Sequence, residues 1–366
     1  MGKLPSKPVA AKPPIEIQRA IIQDINEMSL KEQERIRTFG HVRPEIAQKF
    51  SGYQFVAVGK KLFYSKDWKS FHDFLVGYTP AIFGKEWWEN ETHKPVAAQN
   101  QVVGWREAMR RYAMAKSAAP DEARQNAENP FSLAYMTFAY DLYVVAHNGR
   151  LDDTLVARLK NRDQFQGARH ELFAEATCLR AGFAIQRENE RDKSTKHAEF
   201  LATHKQSGLK FSVEAKSKHR AGVLGMPGIP LPHHKLSLSF GQLINSALAK
   251  NPPHPLVVFI DTNLPTRWAQ RLYAPRIEKD GQIPSRLLMA LLDRVAKEHG
   301  GNDPYALLIF SNHPLHHFSP DELDPQKNLL VVTARNSPLN LRAGIEALFK
   351  ASNLYGNIPR ELPEQR

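Results

Sequence analysis

Glu214-Ala215-Lys216 sets a carboxylate and an ammonium two residues apart at the end of an apolar stretch, 209–215, whose composition predicts a β-strand. Side chains alternate along a strand, so Ser212, Glu214 and Lys216 share one face while Phe211, Val213 and Ala215 share the other. A second predicted strand, 197–203, carries another carboxylate, Glu199. If the connection runs through 205–208, His204 closes the hairpin against Leu209 and Glu199 comes to face Glu214. Two carboxylates opposed across strands repel. A divalent cation between them removes that cost, and Mg²⁺ is typically held by one or two carboxylates plus water and phosphate oxygens.

The element that must support this pair lies just upstream. Residues 167–181 (GARHELFAEATCLRA) predict a helix with Leu172, Phe173, Ala176 and Leu179 on an apolar face. Gly182 is a natural C-terminal stop, and a short strand, 183–186, follows. Helix, strand, strand with a carboxylate, hairpin, strand ending in Glu-x-Lys: this order resembles the PD-(D/E)xK nuclease superfamily, the restriction-endonuclease-like fold. The helix is most similar to that of Mrr-type members and archaeal junction resolvases, because Glu171 stands eleven residues before Gly182-Phe183. The likeness covers roughly residues 165 to 265.

The resemblance implies a metal-dependent nuclease using Mg²⁺ or Mn²⁺, with Glu199 and Glu214 as metal ligands together with the carbonyl of Ala215. It makes Lys216 the catalytic lysine and Glu171 the helix carboxylate, binding a second metal or its water shell. Glu175, one turn on, faces the same way and substitutes for or assists Glu171. Gln242, on a helix predicted at 237–250, takes a supporting place found in several branches. One departure stands out. The first ligand in the superfamily is usually Asp after Pro, whereas this chain has Ala198-Glu199; Asp192 is a nearby alternative within the polar run 188–196. Such folds often serve in bacterial restriction and phage defence. A Glu-x-Lys taken alone is an ordinary solvated ion pair, and a fold does not fix a function. The rival expectation is therefore a non-catalytic nucleic-acid-binding or assembly protein that retains the fold.

The whole chain sets bounds. Its 366 residues are enough for two ordinary domains, and 42% apolar residues supply a core. The net charge of +12 favours a polyanionic partner: DNA first, with RNA as the other nucleic acid. No run of about 18 apolar residues is present and the N-terminus lacks an apolar signal core, so no membrane partner is expected. The single cysteine, Cys178, suits burial on the apolar helix and a reducing cytoplasm. A homodimer is left open.

Read in order, residues 1–14 predict a basic, Pro- and Lys-rich tail. Residues 15–160 form an α-rich N-terminal domain, with a helix at 15–37, strands at 53–58 and 62–64, and aromatic-rich helices from 67 to 149. Aromatic stripes at helical spacing read as core. Residues 161–352 form the nuclease-like α/β domain, a mixed sheet flanked by helices, and 353–366 a loose C-terminal tail. Within that domain, 217–234 is a long irregular loop whose Lys218, His219 and Arg220 are candidates for contacting nucleic acid. Further strands are expected at 255–261, 305–310 and 328–332, and helices at 285–298 and 338–349. The histidine pairs and clusters at His233, His234, His313, His316 and His317 lack cysteines and zinc-site spacing, and read as polar loop residues. No phosphate-binding Gly-Lys-Ser/Thr loop and no serine nucleophile elbow occurs.

The charge alone generates a test. The protein is expected to bind DNA without divalent metal and to lose that affinity steeply with salt, because phosphate neutralisation releases counterions. Negligible binding in a titration at low ionic strength would remove nucleic acid as the partner.

Overall fold

The computed structural model describes residues 15–118, 130–187, 198–223, 226, 228–229, 240–264, 276–278, 281–283, 286–312 and 329–363. The chain is α/β, with a mixed six-stranded sheet and a separate three-stranded one. The tail 1–14, Asp192, much of the 217–234 loop and the histidines of 233–234 and 313–317 lie outside the described residues.

The N-terminal half opens with α1 (Ile15–Phe39) and an antiparallel sheet of β1 (Ile46–Phe50), β2 (Tyr53–Val58) and β3 (Lys61–Ser65). β1 was not foreseen in the sequence. There follow α2 (Phe71–Phe83), α3 (Lys85–Thr92), α4 (Gln101–Ala118), α5 (Pro130–Asn148) and α6 (Asp153–Lys160). Local chemistry sets these boundaries. Ser70 and Asp73 form a reciprocal capping box that starts α2. Asp152 accepts from the amides of Thr154 and Leu155 to start α6. The aromatic helices are core, as expected: Trp105, Tyr135, Tyr140, Tyr143, Phe71 and Phe74 are fully buried.

The second half begins with α7 (Phe165–Arg180) and continues through β4 (Phe183–Arg187), β5 (Phe200–His204), β6 (Lys210–Ser217), α8 (Phe240–Leu248) and β7 (Leu256–Asp261). A small hairpin, β8 (Arg276–Glu278) with β9 (Gly281–Ile283), precedes α9 (Arg286–Glu298), β10 (Leu307–Ser311), β11 (Leu329–Thr333) and α10 (Arg342–Ser352). The main sheet runs β11-β10-β7-β6-β5-β4. Its centre, β6-β7-β10, is parallel, and the outer pairings are antiparallel. Every residue of β7 is buried, the pattern of a strand covered on both faces. Phe211, Val213, Val257 and Phe259 face α7 and α10, whereas Leu256, Val258 and Ile260 face α8 and α9.

α7 departs from the amphipathic helix expected of it. Leu172, Ala176 and Leu179 enter the core of the N-terminal half, while Phe173, Ala174 and Cys178 pack on the main sheet. Buried on both sides, it joins the two halves rather than covering one. Gly182, at φ +84°, ends it, its amide donating a hydrogen bond to Leu179 O, the left-handed stop its position predicts. Residues 353–363, the described part of the loose tail expected for 353–366, are docked. Tyr355 is buried, Ile358 and Leu362 pack on the N-terminal core, and Arg360 O accepts from the Phe71 amide at 2.9 Å. Apolar residues spaced along an irregular segment carry no periodicity, so its docking was invisible in the pattern.

Where α5 meets α7, Asp141 is buried 3.7 Å from Arg180, whose guanidinium also donates to Leu354 O and lies over the Tyr140 ring. Burial, opposed by Arg180 and Arg169, raises the Asp141 carboxyl from 3.8 to about 7. The folded state then holds a proton that the unfolded chain has released, so stability falls as pH rises from about 4 to 7. Asp141→Asn removes that slope. Urea midpoints measured at several pH values should show wild type losing on the order of a few kcal/mol relative to the variant across this window. Parallel pH dependences would contradict a buried proton on Asp141.

Candidate active site

The hairpin closes as its sequence requires: the His204 amide donates to Leu209 O at 2.8 Å, and the ladder pairs Thr203 with Lys210 through Phe200 with Val213. Beyond Phe200 the register departs from the expected one. The Glu199 amide donates at 3.1 Å to the carbonyl of Val213, the residue Phe200 already faces. Two residues of the incoming strand therefore oppose one of β6, a bulge-like arrangement that re-aims the Glu199 side chain. The strand begins at Phe200 rather than at the expected 197.

Glu214 comes to lie on an interior strand, fully buried, on the face covered by α8 and α9. A carboxylate there costs several kcal/mol unless charge or hydrogen bonds compensate it. Compensation comes from two ammoniums. Lys216 Nζ is 2.5 Å and Lys250 Nζ 2.7 Å from Glu214 Oε1. These are charge contacts rather than aligned hydrogen bonds, and Glu214 Oε2, also buried, accepts no hydrogen bond among the described residues. Lys250 Nζ reaches Glu199 Oε1 as well, at 3.5 Å, so one cation spans the two carboxylates. Burial first, then the charge of Glu214, raises the Glu199 pKa; Lys250, Lys216 and Arg158 pull the other way. Burial lowers the Lys250 pKa, but its contacts with Glu214 and Glu199 outweigh this and leave it raised.

The helix carboxylates occupy a neighbouring position. Glu171 is close enough to Glu199 to feel its charge, yet its oxygens are held 2.8–2.9 Å from Arg158 Nη2. Burial drives its carboxyl up to about 8; Arg158 opposes this, and Glu199 and Glu175 add to it. Glu175 is tied on both oxygens to Arg187, which also approaches Asp152 at 3.6 Å. Burial raises the Glu175 pKa against the pull of Arg187. Glu199, Glu214 and Lys216 are thus gathered, with Glu171 adjacent and Glu175 committed to Arg187. Among the described residues, no group of three or more His, Cys, Asp or Glu side chains is close enough to hold a metal ion.

The remaining candidates divide. Gln242 is exposed on α8, whose buried residues are Phe240, Ile244 and Ala247, so support for the carboxylates does not come from it. Lys218 and His219 follow β6 directly, the first half-buried and the second exposed. The Arg220 Nε donates to Thr262 O at 3.1 Å, which commits that side chain to the end of β7. Lys250 was missed. It stands in the turn ending α8, where Lys250 N donates to Ala247 O and Asn251 takes φ +50°. The available signal was a lysine at the end of the helix that leads into the strand flanking Glu214.

A divalent cation fits part of this arrangement. The unsatisfied Glu214 Oε2 and the Glu199 carboxylate are hard oxygen donors of the type Mg²⁺ takes. By strand alternation the Ala215 carbonyl points as Val213 O does, toward the Glu199 segment. Searched against family models, curated proteins and solved structures, the chain matches none of them. Among the described residues, no helix is long and apolar enough to cross a membrane.

Removing Lys250 should expose the carboxylate repulsion it offsets. Lys250→Met is expected to lower stability by about 1–3 kcal/mol, since a buried charge loses one of two partners. Urea unfolding of Lys250→Met, Glu199→Gln and the double variant measures it. If Lys250→Met costs the same whether residue 199 is Glu or Gln, Lys250 does not bridge the pair.

Proposed function

We propose that the protein is a metal-dependent nuclease that hydrolyses DNA phosphodiester bonds through a PD-(D/E)xK-type core. The observation that carries this reading is the juxtaposition of Glu199, just before β5, with Glu214 and Lys216 near the end of β6. It unites two carboxylates otherwise costly to oppose with the lysine two residues on. The element order supports it too: a helix, an antiparallel β4-β5-β6 meander, and a parallel crossover through α8 to β7. Glu199, Glu214 and the Ala215 carbonyl would hold Mg²⁺ or Mn²⁺. When bound, the ion supplies polarisation of the phosphate and a water made nucleophilic near neutral pH. Lys216 offsets negative charge developing on the phosphate. Lys218 and His219, just beyond, meet the backbone of the bound strand. The net charge of +12 draws the polyanion in.

A second reading rests on Lys250, whose ammonium already occupies the place between the carboxylates, and on the two arginines that tie Glu171 and Glu175. On that reading the fold binds nucleic acid or assembles with partners, and the site is structural.

Cleavage assays separate the two. With Mg²⁺ or Mn²⁺ the wild type should cut DNA. Lys216→Ala should retain DNA binding while losing about 10²-fold or more in rate. Glu214→Ala should abolish the main metal site, and Glu199→Asp should keep partial activity. Equal rates for wild type, Lys216→Ala and Glu214→Ala would place the activity elsewhere. Tight DNA binding by a wild type that cuts no single- or double-stranded substrate favours the second reading.

A further inference from the structure

The three-stranded sheet presents its two faces very differently. Ala47, Val56 and Phe63 face inward and pack on the N-terminal core, with Val58 buried beside them. On the outer face, pairing brings Gln48, Phe55 and Tyr64 into one row, with Ile46, Ala57 and Leu62 on one side of it and Phe50 opposite Tyr53 on the other. An antiparallel sheet with one solvated face normally carries polar residues there. Here Phe50 is 70%, Tyr64 64%, Leu62 63% and Ile46 60% exposed.

The aromatic residues form a connected surface. Ring centroids of Tyr53, Phe55 and Tyr64 lie 5.7–6.3 Å apart in a triangle, and Lys66 Nζ stands 4.7 Å over the Tyr53 ring. Between Glu45, which is largely buried, and Asp67, the stretch 46–66 holds Lys49, Lys60, Lys61 and Lys66 and no acid. By alternation Lys49 and Lys61 leave from the inward face, so Lys66 is the cation placed at the rings, with Lys60 in the β2–β3 turn. Open aromatic rings with an ammonium standing over one of them are matched by a ligand that offers flat π-faces and negative charge together. Single-stranded nucleic acid offers both, since its bases are free to stack on aromatic side chains while its phosphates meet the lysines. A duplex hides its base faces. A second copy of this chain docked isologously here would set lysines against lysines.

We propose that the outer face of β1–β3, through Phe50, Tyr53, Phe55 and Tyr64, is a stacking platform for an unpaired segment of nucleic acid. The surface is separate from the carboxylate site and does not depend on cleavage there. It takes about two or three bases without sequence preference.

The test uses the full chain in EDTA, with a fluorescent single-stranded oligonucleotide and a blunt duplex of the same length as probes. Tyr53→Ala and Tyr64→Ala should each weaken single-strand binding about fivefold or more, while Tyr64→Phe, which keeps the ring, should stay within about twofold of wild type. Duplex affinity should be unchanged in all three. Thermal melting of each variant confirms folding, and Tyr64, being exposed, should shift the midpoint little. The proposal is overturned if the alanine variants bind the single strand as wild type does, or if they lose duplex binding to the same extent. It is equally overturned if they change only the sedimentation behaviour of the protein, which would make the face a contact between copies. Because no metal is present, a wild type that never cleaves leaves this outcome intact, and a wild type that cleaves does not substitute for it.

Discussion

α7 is a helix with no solvent face, and most of the molecule is arranged around that constraint. Its apolar residues are divided between two cores, so its seven buried polar and charged side chains, from Gln166 to Arg180, must find partners inside the protein. A buried charge without a partner is far more costly than a paired one. The partners come from both directions. Arg158 on α6 takes Glu171, Arg187 on β4 takes Glu175, and Asp141 on α5 takes Arg180. Each pair ties α7 to a different element, and together they hold the aromatic helices of the N-terminal half to the edge of the main sheet.

The same economy of charge shapes the carboxylate site. β6 is interior, so Glu214 has no access to water, and its two ammonium neighbours come from its own strand and from the end of α8. The irregular pairing at Glu199 brings a second carboxylate within reach of the same ammonium. A local break in the ladder, a buried acid and a bridging lysine are a concentration of unfavourable elements that hydrophobic packing alone does not call for. Perturbed carboxylates and distorted strands gather where binding or chemistry takes place. The adjacent Glu171 extends that cluster toward α7 and couples it to the helix on which both halves depend.

Much of the framework was legible in the residues. Strands at 53–58 and 255–261 and the helix at 285–298 fall within a residue or so of their observed bounds, because each has an unbroken apolar period and a polar or glycine stop. The hairpin closure at His204 and Leu209 followed from connection length, and the sharing of faces by Ser212, Glu214 and Lys216 from alternation. β1 was missed because IAQKF is polar at two of five positions and becomes a strand only by pairing with β2.

What alternation and spacing carry is local: which residues share a face, where a helix must stop, which strands a short turn can join. The sharing of a face by Glu214 and Lys216 was determined at that level, whereas Glu199 joins them through a break in the register that alternation did not foresee. The compensation of their charge was not determined there, because Lys250 lies 36 positions beyond Glu214 and arrives only when α8 has folded back over the sheet. The burial of α7 on both sides, the docking of 353–363 and the capture of Glu171 and Glu175 by arginines are likewise contacts between elements distant in sequence. Desolvation depends on everything packed around a group, so only the tertiary structure decided which carboxylates are buried and which cation answers each.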